Sequence, residues 1–151
     1  MTIRWQPKIN GYFFNKFINN LKSKEKNFEI EDIENLKKDT TDIISKCINP
    51  SQKNSSERLS STNLVLGYIQ SGKTTSMEAV SCMARDNAYK LIILLSGHVT
   101  NLAEQTQDRV YQSLNMFGWK RIEVPGKGEQ LDYEDINKKL KKIIEVENDD
   151  L

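Results

Sequence analysis

The stretch from Leu64 to Thr75 reads LVLGYIQSGKTT. A short apolar run, Leu64-Val65-Leu66, meets Gly67. Tyr68, Ile69, Gln70 and Ser71 follow, then Gly72, Lys73 and Thr74. This is G-x-x-x-x-G-K-T with every position filled, the phosphate-binding P-loop pattern. Gly67 and Gly72 let the backbone turn tightly with amide N–H groups pointing inward. Those amides and the N-terminal end of the following helix form a positive cradle for phosphate. Lys73 can reach the β- and γ-phosphates, and the Thr74 hydroxyl can ligate Mg²⁺. The candidate nucleotide-binding residues are Gly67, Gln70, Ser71, Gly72, Lys73, Thr74 and Thr75, with ATP and Mg²⁺ as the expected cofactors. The plain alternative is a Gly/Ser turn between a strand and a helix. A strand before the motif and a helix after it are the context that favours nucleotide binding.

Downstream, a helix is expected to carry Met77, Val80, Cys82, Met83 and Ala84 to about Arg85, with Asp86-Asn87 breaking it. Tyr89 to Leu95, YKLIILL, is a nearly continuous apolar run, the pattern of a strand buried on both faces. Leu64 to Leu66, the helix, and Leu91 to Leu95 then make a β-α-β unit, which closes as a right-handed parallel arrangement. Ser96-Gly97-His98 ends the second strand. A third helix is expected from Asn101 to Leu114, and a short strand from Trp119 to Val124, ended by Pro125-Gly126. From Asp132 the chain reads as a charged helix with a thin stripe of Leu140, Ile143 and Ile144.

Upstream, Tyr12, Phe13, Phe14, Phe17, Ile18 and Leu21 recur at helical spacing. A second helix is predicted from Glu29 to Ile48, with Ile30, Ile33, Leu36, Thr40, Ile43, Ile44 and Cys47 as its stripe. Asn27 can cap it, the acidic residues Glu29, Glu31, Asp32 and Glu34 suit its positive end, and Asn49-Pro50 stops it. Ser51 to Asn63 is a polar, serine-rich linker. The expected organisation is a helical region over 1–50, a linker over 51–63 and a P-loop domain over 64–151.

A chain of 151 residues can bury a real core. Its formal net charge of +1 gives no global attraction to nucleic acid or an anionic membrane. No apolar run approaches membrane-spanning length, and the N-terminus, MTIRWQPKIN, has no signal-peptide core. Cys47 and Cys82 fall in helix-like segments and read as small buried residues of a reduced, cytoplasmic protein. His98 is the only histidine, so a zinc site of histidines is excluded.

Parallel sheets bind ligands at the carboxyl ends of their strands, so the loop up to Gln105 is expected near the P-loop. Its Asn101-Leu102-Ala103-Glu104-Gln105 core is similar to the segment of superfamily 2 helicases that touches the nucleic-acid backbone. Thr100, Asn101 and Gln105 are the candidate contacts to DNA, gripping phosphate without reading bases. A second reading stands beside it, in which Thr100 or Asn101 only caps a helix.

These segments together resemble the signature region of the Z-one domain family. Its members are bacterial proteins named as endonucleases, found beside DNA-modification and defence genes. The resemblance rests on Gly67-Tyr68-Ile69-Gln70-Ser71-Gly72-Lys73-Thr74, then Tyr89-Lys90-Leu91-Ile92-Ile93, then Asn101-Leu102, Gln105-Thr106-Gln107 and Arg109. It covers about Leu64 to Val110. Trp5-Gln6-Pro7 and Asn49-Pro50 fit the family more loosely. Ala88 stands where the family usually has Gly, and Ala103 where it often has Arg.

The resemblance implies an α/β fold: a helical N-terminal region followed by a partial P-loop NTPase (RecA-like) parallel sheet with flanking helices. It also implies an ATP-binding, helicase-like segment of a DNA-directed restriction or defence protein, with defence-system proteins as partners and no membrane. Hydrolysis would further need an acidic residue at the end of another strand. Asp132-Tyr133-Glu134-Asp135 and Asn148-Asp149-Asp150 supply acids without such a strand. The chain is therefore expected to be the N-terminal portion of a longer protein. Two other classes remain: a different P-loop NTPase or kinase, and a truncated, non-catalytic interaction module.

Overall fold

The computed structural model describes residues 5–24, 29–51, 60–66, 72–93, 108, 110–112, 114–115 and 133–146. Two compact units divide the chain, Met1–Gly118 and Trp119–Leu151. The described part of the first contains α1 (Tyr12–Lys24), α2 (Ile30–Lys46) and α3 (Lys73–Asp86). Asp108, Val110, Tyr111, Gln112 and Leu114 are also helical, within the helix expected from Asn101 to Leu114, and Asn115 is helical one residue beyond it.

α1 forms because its apolar residues fall on one stripe. Phe14, Phe17, Ile18 and Leu21 are all buried, at spacings of three and four. In α2 the buried positions are Ile33, Thr40 and Ile44. Ile30, expected on that stripe, is 79% exposed because it sits at the first turn, beyond the packed length. Glu29 takes the N-cap position, and its amide donates to the Asp32 carboxylate at 3.0 Å. Asn27, the expected cap, lies outside the described residues.

α3 is the central element, since α1 and α2 both pack on it. Its sequence explains why. Ala79, Ser81, Cys82 and Ala84 are small and buried, so neighbouring helices can approach closely from more than one side. Met83, fully buried, fills the space between. Ser81 resolves its own polarity by donating to the Met77 carbonyl at 2.8 Å.

The parallel sheet is not found. No residue among those described is in a strand. Leu64, Val65 and Leu66 are irregular and 82%, 60% and 84% exposed, and Leu91 and Ile93 are irregular and exposed as well. The expected RecA-like α/β fold is therefore corrected to a helical packing around α3. The physical reason is that a strand has no backbone partners of its own. A three-residue apolar run becomes a buried strand only when neighbours pair with both edges and cover both faces. Periodicity alone cannot separate such a run from an unpaired segment. The expected strand from Trp119 to Val124 and residues 94–95 of the second run lie outside the described residues.

In the second unit the described element is α4 (Tyr133–Val146). Glu134 and Asp135 occupy its first turn, where the helix dipole favours negative charge. Asp135 pairs with Lys139 one turn on, at 2.6 Å. Both side chains are about half exposed, which limits the pair to a few tenths of a kcal/mol. Among the described residues no helix is long and apolar enough to cross a membrane.

Candidate nucleotide site

Of the motif residues, Gly72, Lys73, Thr74 and Thr75 are described; Gly67, Gln70 and Ser71 lie outside the described residues. Gly72 is left-handed, with φ 71° and ψ 26°, and is the N-cap of α3. That conformation favours glycine, because a Cβ would crowd the following carbonyl. It turns the chain directly into the helix, whose first three residues are Lys73, Thr74 and Thr75. The first intrahelical bond runs from the Ser76 amide to the Gly72 carbonyl at 3.0 Å. Amides before Ser76 belong to the first turn, where a helix offers N–H groups outward.

Two local features suit a phosphate there. Gly72 itself brings no side chain to cap the first amides of α3. Among the described residues, apart from Gly72 and its chain neighbours, no atom lies within 4 Å of where a Cβ on Gly72 would stand, which leaves room for a ligand beside the backbone. Lys73 is exposed, and Thr74 and Thr75 are half-buried in the same turn. Among the described residues no group of three or more His, Cys, Asp or Glu side chains can hold a metal ion. A P-loop magnesium does not need one, because it is bound by few protein groups together with phosphate and water oxygens. Thr100, Asn101 and Gln105, the candidate DNA contacts, lie outside the described residues.

The other end of α3 carries an anchor that the sequence reading treated only as a helix breaker. The Asp86 carboxylate accepts from the amides of Phe13 at 3.1 Å and Phe14 at 2.8 Å, capping α1 from a different helix. A carboxylate is disfavoured at the C-terminal end of its own helix and favoured at the N-terminal end of another. Asn87 accepts from the Lys8 amide at 2.7 Å and donates to the Lys8 carbonyl at 3.1 Å and the Met83 carbonyl at 2.8 Å. The available signal was Gly11, placed just before an aromatic stripe. The helix of 14 residues separates this anchor from Gly72 by about 20 Å.

The end of α2 is tied down nearby in sequence. The Trp5 indole donates to the Cys47 carbonyl at 2.7 Å, and the Tyr89 hydroxyl to the Ile48 carbonyl at 2.6 Å. Burial pushes the Tyr89 phenol up to about 12, with Cys47 adding to the shift. Cys82 is fully buried. Burial first, then Asp86 and Glu78, push its thiol up to about 12, against an opposing effect of Arg85. A thiol so held is a packing group and not a nucleophile.

No protein-family model, no curated protein and no solved structure matches this chain.

Proposed function

We propose that this chain binds Mg-ATP at residues 67–75. The observation that carries the proposal is Gly72. Its left-handed backbone leads straight into a helix beginning Lys73-Thr74-Thr75, within a complete G-x-x-x-x-G-K-T. The reading does not require a sheet, since loop amides and the helix dipole make the cradle. Lys73 would face the β- and γ-phosphates, and Thr74 would hold Mg²⁺. The metal, when bound, neutralises charge on the phosphate oxygens. Calorimetry with Mg-ATP tests this: Lys73→Ala is expected to weaken binding strongly, and equal affinity in the two proteins would refute the assignment.

The resemblance of the segment from Leu64 to Val110 extends the proposal to a helicase-like part of a cytoplasmic, DNA-directed restriction or defence protein. Thr100, Asn101 and Gln105 would then touch a DNA backbone. Gln105→Ala should weaken DNA binding and leave the melting temperature unchanged; the reverse result makes the loop a helix cap. The exposure of Leu64, Leu66 and Ile93 favours a second reading, a non-catalytic module completed by a partner. That reading predicts nucleotide binding without phosphate release.

A further inference from the structure

No acidic residue precedes Glu25, whereas Arg4, Lys8, Lys16, Lys22 and Lys24 do. The chain as a whole has a formal net charge of +1, so the remainder is net acidic and positive charge is concentrated at this end. Of these, α1 presents Lys16 and Lys22 on one exposed face. Its apolar stripe, Phe14, Phe17, Ile18 and Leu21, is buried in the packing on α3. Tyr12, Asn15, Lys16, Asn19, Lys22 and Ser23 are all exposed. The Tyr12 ring is 66% exposed at one end of this face, with the Lys16 ammonium 5.7 Å from its centroid. Phe13 meets Tyr12 edge-on at 5.1 Å, and the Arg85 guanidinium lies 4.1 Å from the Phe13 centroid. An aromatic pair is thus flanked by cations at the head of a polar face to which α1 itself contributes no acid; the Asp86 carboxylate at that head is engaged by the Phe13 and Phe14 amides. α2 offers a contrast: its exposed Lys37 and Lys38 are interspersed with Glu34, Asp39 and Asp42.

We propose that this face of α1 binds single-stranded nucleic acid along its phosphate backbone, with Tyr12 stacking on one base. Charge complementarity selects a polyanion, and lysine contacts to phosphate release counterions. Asn and Ser side chains suit phosphate and sugar oxygens and carry no sequence information. An exposed aromatic ring accepts any unpaired base, whereas the bases of a duplex are already stacked. A membrane surface fits less well, because the apolar stripe that would enter lipid is already packed on α3. The proposal is independent of the nucleotide reading at Gly72, and it is tested without ATP or Mg²⁺.

The probe is a short labelled oligothymidylate, titrated by fluorescence polarisation at several salt concentrations. Lys16→Glu/Lys22→Glu is expected to weaken binding by at least about tenfold and to lower the salt slope by about 1.4, the loss of two single-strand phosphate contacts. Lys37→Glu/Lys38→Glu makes the same change in net charge and is expected to leave affinity within about twofold, because it removes no contact on this face. Tyr12→Ala is expected to weaken binding on the order of tenfold with the slope unchanged. All these positions are exposed, and circular dichroism checks the fold; Lys16→Gln/Lys22→Gln repeats the test by neutralisation alone. Equal loss in the two lysine pairs, no loss in either, equal affinity for a duplex, or tighter binding to phosphatidylserine vesicles would each overturn the proposal.

Discussion

Asp86 can cap α1 only because residue 11 is glycine: a Cβ on Gly11 would lie 2.0 Å from the Asp86 Cγ and 2.2 Å from its Oδ2. The contact is with a short side chain held by two backbone amides, so it cannot swing aside without losing both bonds. Asp86→Ala is expected to destabilise the fold by about 2 kcal/mol, from the loss of two charge-assisted caps. Gly11→Ala should cost a similar amount by expelling the same carboxylate. The two changes should not add, because each removes the same interaction. A double-mutant cycle by urea denaturation checks this; full additivity would mean the two sites are independent.

Ala88 is the one described residue other than glycine with a positive φ, at 66°. It closes α3 in a Schellman arrangement: the Tyr89 amide donates to the Ala84 carbonyl and the Ala88 amide to the Arg85 carbonyl, both at 3.1 Å. Glycine relieves the left-handed strain there at some entropic cost in the unfolded chain. Ala88→Gly should therefore raise stability by about 1 kcal/mol. A lower denaturation midpoint in the variant would contradict the assigned conformation.

Thr40 is 1% exposed, and its hydroxyl has no hydrogen-bond partner among the described residues. Thr40→Val keeps the shape and removes the unsatisfied group. The expected gain is about 1 kcal/mol, read as a higher midpoint with an unchanged slope. A loss of stability would show that the hydroxyl is bonded in solution.

The buried Cys82 thiol makes stability fall at alkaline pH. Its folded-state value is raised from 9.0 to about 12, so the native state holds the proton that the unfolded state releases. The contribution is fully present below pH 9 and is lost as pH rises towards 12. In that window the slope approaches about 1.4 kcal/mol per pH unit for this one group. Tyr89, raised from 10.0 to about 12, adds to the same decline above pH 10. Cys82→Ala should be less stable at neutral pH through lost packing, yet show a flatter decline between pH 9 and 11. Parallel curves for the two proteins would contradict the burial of the thiol.

Helices with a strong 3.6-residue period were legible in the sequence. The stripe of Phe14, Phe17, Ile18 and Leu21 needed only local chemistry, whereas α2 ends at Lys46, short of the Ile48 expected from the stop at Asn49-Pro50. Gly72 was legible too, because a left-handed start to a helix selects glycine. The sheet was misread because Leu64-Val65-Leu66 and Leu91-Ile92-Ile93 carry apolar character without period, and pairing partners are a tertiary matter. Asp86 and Asn87 were read correctly as the end of α3, but their second role was not legible. Their residue types signal a helix end, but the amides they serve belong to residues far away in the chain, at Lys8, Phe13 and Phe14.

The most direct test of the nucleotide site is amide hydrogen exchange at Lys73, Thr74 and Thr75, with and without Mg-ATP. A phosphate seated on the first turn of α3 would hold these amides in hydrogen bonds. Exchange there should slow on the order of 100-fold at an ATP concentration about 100 times Kd. The amides of α2 should change little, and Lys73→Ala should abolish the protection. Unchanged exchange at the start of α3 under saturating ATP, or protection that survives Lys73→Ala, would contradict the account.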